Sequence, residues 1–256
     1  MPTQPKFRLA SFHPVQGHAR HFIYVALFTW LAMPMTWAAT NAWSGASLTD
    51  SNWSTGGNWS GLAVPGAADD VQFLDAGSTV AVGAANNFVD ASFAGTIASL
   101  RYANQNGFHT TVIEPGKTLN ITGAGSLSIG TLADVPVGIA IQANISGAGA
   151  VNVNNPGGNL VVQQGASGSG SPRATLDLSG LGRFTASVNR IGIGTSSLLL
   201  SAAANQRLTG TLLLAETNVI TMAYAQTLGT YLAAGANNSL EIGKNTGNPA
   251  GMNFLY

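Results

Sequence analysis

The chain has 256 residues, of which 45% are hydrophobic and only 8% charged, and ten basic residues are matched by ten acidic ones. No basic stripe is available to neutralise phosphates, which excludes an electrostatically driven nucleic-acid binder. There is no cysteine, which excludes a disulfide scaffold, a thiolate zinc site and a cysteine nucleophile.

Lys6, Arg8 and Arg20 precede an apolar run, His21 to Met33 (HFIYVALFTWLAM), closed by Pro34 and then by Met35-Thr36-Trp37-Ala38-Ala39. A basic region, an apolar core and small residues at the end form the pattern of a secretory signal peptide. Thr36 and Ala38 suit the −3 and −1 positions, so cleavage is expected after Ala38, with Ala39 as the second choice. The run is short for a membrane span, and Pro34 interrupts it near its end. Loss of residues 1–38 leaves seven basic residues against ten acidic ones, a net charge of −3, and His109 as the sole histidine.

Residues 39–75 hold all the remaining tryptophans, Trp43, Trp53 and Trp59, with Asn58 and Ser60 beside the last and Pro65, Asp69 and Asp70 following. Beyond Asp70 the chain is a series of short alternating runs punctuated by Gly, Asn, Ser and Pro. The candidate strands are 71–74, 79–82, 96–102, 111–113, 118–121, 126–129, 138–142, 150–153, 160–163, 175–178, 184–188, 197–200, 211–214 and 239–242. Such alternation sends one set of side chains inward and the other outward, and turn residues at short intervals argue for an all-β fold. The only helical candidate is 201–208 (SAAANQRL). With no linker or composition shift across some 180 residues, a parallel β-solenoid over 76–256 fits better than a sandwich, which closes in about 100 residues. At about 20–25 residues per coil, about eight rungs are expected, stacked over about 40 Å. Outward Ser, Thr, Asn and Gln would ladder along the stack.

A solenoid has an apolar end that must be covered, and Trp43, Trp53 and Trp59 are suited to plug it. The same three rings could instead stack against sugars as an open platform. The segment Trp43…Asn58-Trp59-Ser60…Pro65…Asp70-Val71-Gln72-Phe73 resembles the start of bacterial passenger proteins with autotransporter-associated β-strand repeats. Ile145-Ser146-Gly147-Ala148-Gly149-Ala150-Val151 is similar to their repeat opening, and 175–181 and 212–218 share their style. The resemblance implies a right-handed parallel β-helix, export, and no catalytic residues. Such passengers run on to a membrane barrel or a sorting tail, so it also implies that the chain is an N-terminal piece or a small relative. The membrane then enters only through the signal peptide or a missing C-terminal anchor.

Chemistry-bearing residues are sparse. Asp69 and Asp70 are adjacent, which in a strand sends them to opposite faces; with Asp75 they read as turn carboxylates, or else as a calcium site. His109 reads as a strand-edge or surface histidine, and no G-x-S-x-G elbow supports a triad through it. Arg173, Arg183, Arg190 and Arg207 read as solvated loop residues, or as two arginines stacked on neighbouring coils to bind an acidic glycan. Glu114, Asp134, Asp177, Glu216 and Glu241 are isolated along the chain, although a solenoid can bring isolated residues together. No catalytic, metal-binding or cofactor-binding set emerges. The expected role is a non-enzymatic exported passenger, structural or adhesive at the cell surface or outer membrane. Its partners would be surface glycans or other surface proteins. The alternative is a carbohydrate-binding or carbohydrate-active β-helix.

Overall fold

A computed structural model describes residues 39–131, 139–164, 172–194, 209–223, 240–242 and 254–256. The signal segment 1–38 with Ala38, the strand candidate 197–200, the helix candidate 201–208 and Arg207 lie outside these residues.

In chain order the strands are β1 (Thr40–Ala42), β2 (Asp70–Phe73), β3 (Asn87–Val89), β4 (Thr96–Ile97), β5 (Ser99–Tyr102), β6 (His109–Ile113), β7 (Thr118–Ile121), β8 (Leu127–Ile129) and β9 (Ala140–Val162). They continue as β10 (Arg173–Asp177), β11 (Leu181–Ile193), β12 (Thr211–Leu213), β13 (Thr217–Met222), β14 (Leu240–Ile242) and β15 (Phe254–Leu255). Among the described residues a single 3₁₀ turn, Gly56–Asn58, interrupts the first coil. Among the described residues no helix is long and apolar enough to cross a membrane.

Every pairing between these strands is parallel, and the pairings fall into three columns. The first runs β1, β2, β5, β8, the end of β9, the end of β11 and β14. The second runs β3, β6, the start of β9, β10, β12 and β15. The third runs β4, β7, the middle of β9, the start of β11 and β13. The chain visits first, second and third column in turn, then steps up one rung. This is a parallel β-solenoid of about five turns. Crossovers between parallel strands are right-handed in nearly all proteins, the sense expected for these coils.

The coils are longer than expected. Asp70 pairs with Ser99, 29 residues on; Asn120 with Asn152, 32 on; and Thr111 with Ile145, 34 on. Three faces and their corners need more chain than a coil of 20–25 residues supplies. About five turns at about 4.8 Å per strand spacing give a stack of ~24 Å, shorter than the eight rungs expected.

Strict alternation builds the core. In the first column Val71, Leu100, Leu127, Leu160 and Ile191 sit directly above one another, as do Phe73, Tyr102, Ile129, Val162 and Ile193, and all are buried. Ile97, Ile121, Val153 and Ala186 do the same in the third column. Each fully buried aliphatic side chain in such a ladder contributes about 1.5–3 kcal/mol relative to exposure.

Several strand boundaries move. The candidate 96–102 is two strands, split at Ala98 where the chain passes from the third column to the first. The candidates 138–142, 150–153 and 160–163 merge into β9, whose 23 residues cross all three faces. The candidate 79–82 is no strand: Thr79 makes one isolated antiparallel bridge to Phe108, and Val80 is 95% exposed. Alternation without an in-register neighbour above or below leaves these valines in a loop. Strands β1, β3 and β13 are polar enough to escape a reading based on apolar runs.

Glycine fits a close approach at one corner. Gly147 turns β9 from the second to the third column at φ +106, and a Cβ there would lie 2.3 Å from the Ile113 carbonyl oxygen of the coil below. The Ile-Ser-Gly-Ala-Gly sequence is therefore a corner at which two backbones nearly touch.

Candidate functional site

The tryptophan-rich first coil is built around Asn58. Its side-chain amide donates to the carbonyls of Asp50 (3.1 Å) and Asn52 (3.0 Å), and its Oδ1 accepts from Ser47 N at 3.1 Å. Its own carbonyl accepts from Ser44 N at 2.8 Å. One buried asparagine thus holds the single stretch 44–52 at four points, which places Trp59 inward next to it.

Trp43, Trp53 and Trp59 are each at most 1% exposed. Trp43 and Trp53 meet Trp59 edge-on at centroid distances of 5.0 and 5.3 Å, and Trp43 stacks on Phe73 at 5.7 Å. Phe73 in turn stacks on Tyr102 at 4.7 Å. The rings fill the lumen of the first coils and present no open face on which a sugar could stack.

A one-way chain of side-chain hydrogen bonds leaves this cluster. Trp53 Nε1 donates to Asn87 Oδ1 at 2.9 Å. Asn87 Nδ2 donates to Asn86 Oδ1 at 3.0 Å, and Asn86 Nδ2 donates to His109 Nδ1 at 3.2 Å. His109 Nε2 donates to the Leu74 carbonyl at 2.6 Å. Asn86 Oδ1 also accepts from Thr110 N at 2.9 Å, which fixes the direction of its amide. The bonds therefore require the neutral imidazole with its proton on Nε2.

His109 is fully buried, not a surface residue, and its ring meets Phe73 at 5.0 Å. It occupies a core position of the second column, in register with Ala143, which is small enough to leave it room. Burial lowers its pKa, and the Leu74 carbonyl and Asp75 oppose that shift only in part. Histidine in a core ladder looks identical in sequence to histidine at an edge. The nearest signal is the Asn86-Asn87 pair, whose two adjacent amides can relay bonds. Tyr102 lies beside it, its hydroxyl paired with Thr111 Oγ1 at 2.5 Å, and burial raises its pKa beyond its usual range.

The acidic residues of the N-terminal coils are structural. Asp69 accepts from Asn41 Nδ2 at 2.9 Å and Gly66 N at 2.8 Å, while Asp70 accepts from Ser99 Oγ. Asp75 accepts from the backbone of Gln105 and Asn106 and from Asn106 Nδ2. Partial burial raises its pKa, but those bonds outweigh it and hold the carboxyl below its ordinary value. Among the described residues no three acidic or histidine side chains converge to hold a metal ion.

Among the described residues Arg173, Arg183 and Arg190 do not stack on one another. Arg173 lies in the second column beside Ala140, whereas Arg183 and Arg190 lie on different faces of one coil beside Ala150 and Asn159.

Asp177, isolated in sequence, is brought to a cavity of about 190 Å³ on the second face, whose wall also includes Thr110, Asn144, Ser146, Ser179 and Gly83. Thr110, Asn144 and Asp177 come from three successive rungs in register. Sequence distance hid this grouping, since only the coil length could have revealed it.

No protein-family model matches the chain, no curated protein matches it, and no solved structure matches it.

Proposed function

We propose that the protein is an exported, non-enzymatic surface protein of the autotransporter-associated repeat kind, serving as a structural or adhesive β-solenoid. The observation that carries this reading is the stack itself. Its interior is filled by apolar ladders, and outward rungs such as Asn120, Asn152 and Thr185 stand in register as polar, uncharged side chains. The Asn152 amide donates to Asn120 Oδ1 at 3.0 Å. A surface of this kind extends by repetition and carries little charge.

The leader pattern of residues 1–38 supplies the export route. Ala39 already belongs to the first coil: its carbonyl accepts from Asp70 N at 2.8 Å. Cleavage after Ala38 keeps that bond, and cleavage after Ala39 would lose it.

The test is fractionation of the producing cell with N-terminal sequencing of the recovered protein. A new N-terminus at Ala39, on protein held at the surface or released, is the expected result. Full-length protein that keeps Met1 and stays in the cytosol would overturn the reading.

A further inference from the structure

We infer that the cavity on the second face is a binding site for one hydroxyl-rich unit, the terminal pyranose of a glycan. The inference rests on the adhesive reading above and names a ligand class and a site for it. Three rungs supply the wall: Thr110 from β6, Asn144 from β9 and Asp177 from β10, in register above one another, with Ser146 and Ser179 beside them and Gly83 next to the Asn144 amide.

The polar groups there are only partly used. Asp177 Oδ1 accepts from Ser179 N at 2.9 Å and Ser179 Oγ at 2.6 Å, and among the described residues Oδ2 has no partner. Asn144 Oδ1 accepts weakly from Gln142 Nε2 at 3.3 Å, and among the described residues the Asn144 amide hydrogens have no acceptor. Thr110 is 3% exposed, and among the described residues its hydroxyl has no hydrogen-bond partner. A buried hydroxyl left in this state is destabilising, and a ligand that satisfies it is favoured by the same amount.

The donor set selects the chemistry. The carboxylate oxygen only accepts, the amide nitrogen only donates, and the hydroxyls do either. A phosphate or carboxylate ligand would be repelled by Asp177. An ammonium would pair with Asp177 but leave the Asn144 amide idle. Vicinal hydroxyls, which each donate and accept, answer all of these groups. The volume is below the roughly 300 Å³ of pockets for drug-sized ligands, so a single sugar ring is the fitting size. With no aromatic platform in the wall, one ring would bind with a Kd on the order of 1 mM, and strong attachment would come from many copies on a surface.

The test is a ¹H–¹⁵N NMR titration of the purified full chain with the methyl glycosides of glucose, galactose, mannose and N-acetylglucosamine, each to 50 mM. The expected result is saturable shifts at Asn144, Ser146, Asp177 and Gly180 with at least one glycoside. Asp177→Asn, which keeps the acceptor facing Ser179, is expected to weaken that binding at least tenfold. Thr110→Val, which removes the unpartnered hydroxyl at constant shape, is expected to weaken it several-fold with no loss of thermal stability. Shifts with none of the four, or shifts unchanged in both variants, would overturn the inference. The export reading fails or stands separately: cytosolic protein that binds sugar sinks only the first, and surface protein whose cavity ignores all four sinks only the second.

Discussion

Trp53 and Asn87 are 34 residues apart, yet the indole Nε1 donates to the amide Oδ1 at 2.9 Å in a fully buried position. That bond joins the first coil to the second rung and starts the amide chain that ends on His109. Trp53→Phe keeps an aromatic ring in the cluster but leaves Asn87 Oδ1 buried without its donor, so a loss of about 1–3 kcal/mol is expected. Trp53→Ala should lose about 3–5 kcal/mol. Urea unfolding of the two variants measures both. No loss in Trp53→Phe would mean that the hydrogen bond contributes nothing beyond ring burial.

The other end of the chain gives a pH dependence. Folded His109 resists protonation, because burial disfavours the charged ring and the Asn86 amide presents hydrogens to Nδ1. Unfolded histidine titrates near 6.5. Above that value both states are neutral and stability is unaffected. As the pH falls below about 6.5 the unfolded state binds a proton that the folded state refuses, and stability drops until the lowered folded pKa is passed. Thermal midpoints at pH 7.5 and 5.0 should therefore differ. His109→Gln should flatten the difference, and an unchanged slope in that variant would place the titrating group elsewhere. Asp75 acts in a separate window: its lowered pKa gives stability that is present above about 3.8 and lost as the pH falls through the folded value.

Two glycines with similar function in sequence should behave differently. Gly147→Ala places a methyl 2.3 Å from the Ile113 carbonyl oxygen, with φ at +106. Gly116→Ala meets nothing within 4 Å and carries only the conformational strain of φ +75, about 1–2 kcal/mol. The first substitution is expected to destabilise clearly more than the second, as read by chemical denaturation.

The Asn120–Asn152 rung is a test of outward ladders. Each single change to Ala should lose about 0.5–1.5 kcal/mol. A double-mutant cycle should show coupling between them, because the two amides share one bond. Additive losses would mean that the ladder is geometry without energy.

Solenoid architecture was legible in the period-two alternation of TLNI, SLSI and TLDL, because inward Leu and Ile alone satisfy a core made of stacked rungs. The coil length was not. It depends on corners such as Glu114–Lys117 and Gly147–Gly149, which look alike whether they end a hairpin or turn a face. The burial of Trp43, Trp53 and Trp59 was legible in part, since large aromatics beside turn residues seek cover. Their connection to His109 was not, because it depends on which residues share a rung. Asp177 joined Thr110 and Asn144 for the same reason: offsets of 33 and 34 residues carry no local signature.

The corners are unequal. Between the second and third faces the chain needs few residues: 114–117, 147–149 and 178–180. Between the first and second faces, among the described residues, it uses 74–86 and then 103–108. The longest described connection, 74–86, thus lies on one seam while the strands on either side of it stay paired in register. A tag, epitope or protease site grafted at 80–82, where Val80 is 95% exposed, would ride on the outside of a spool whose windings stay aligned. The same graft at Gly147–Gly149 would jam the winding.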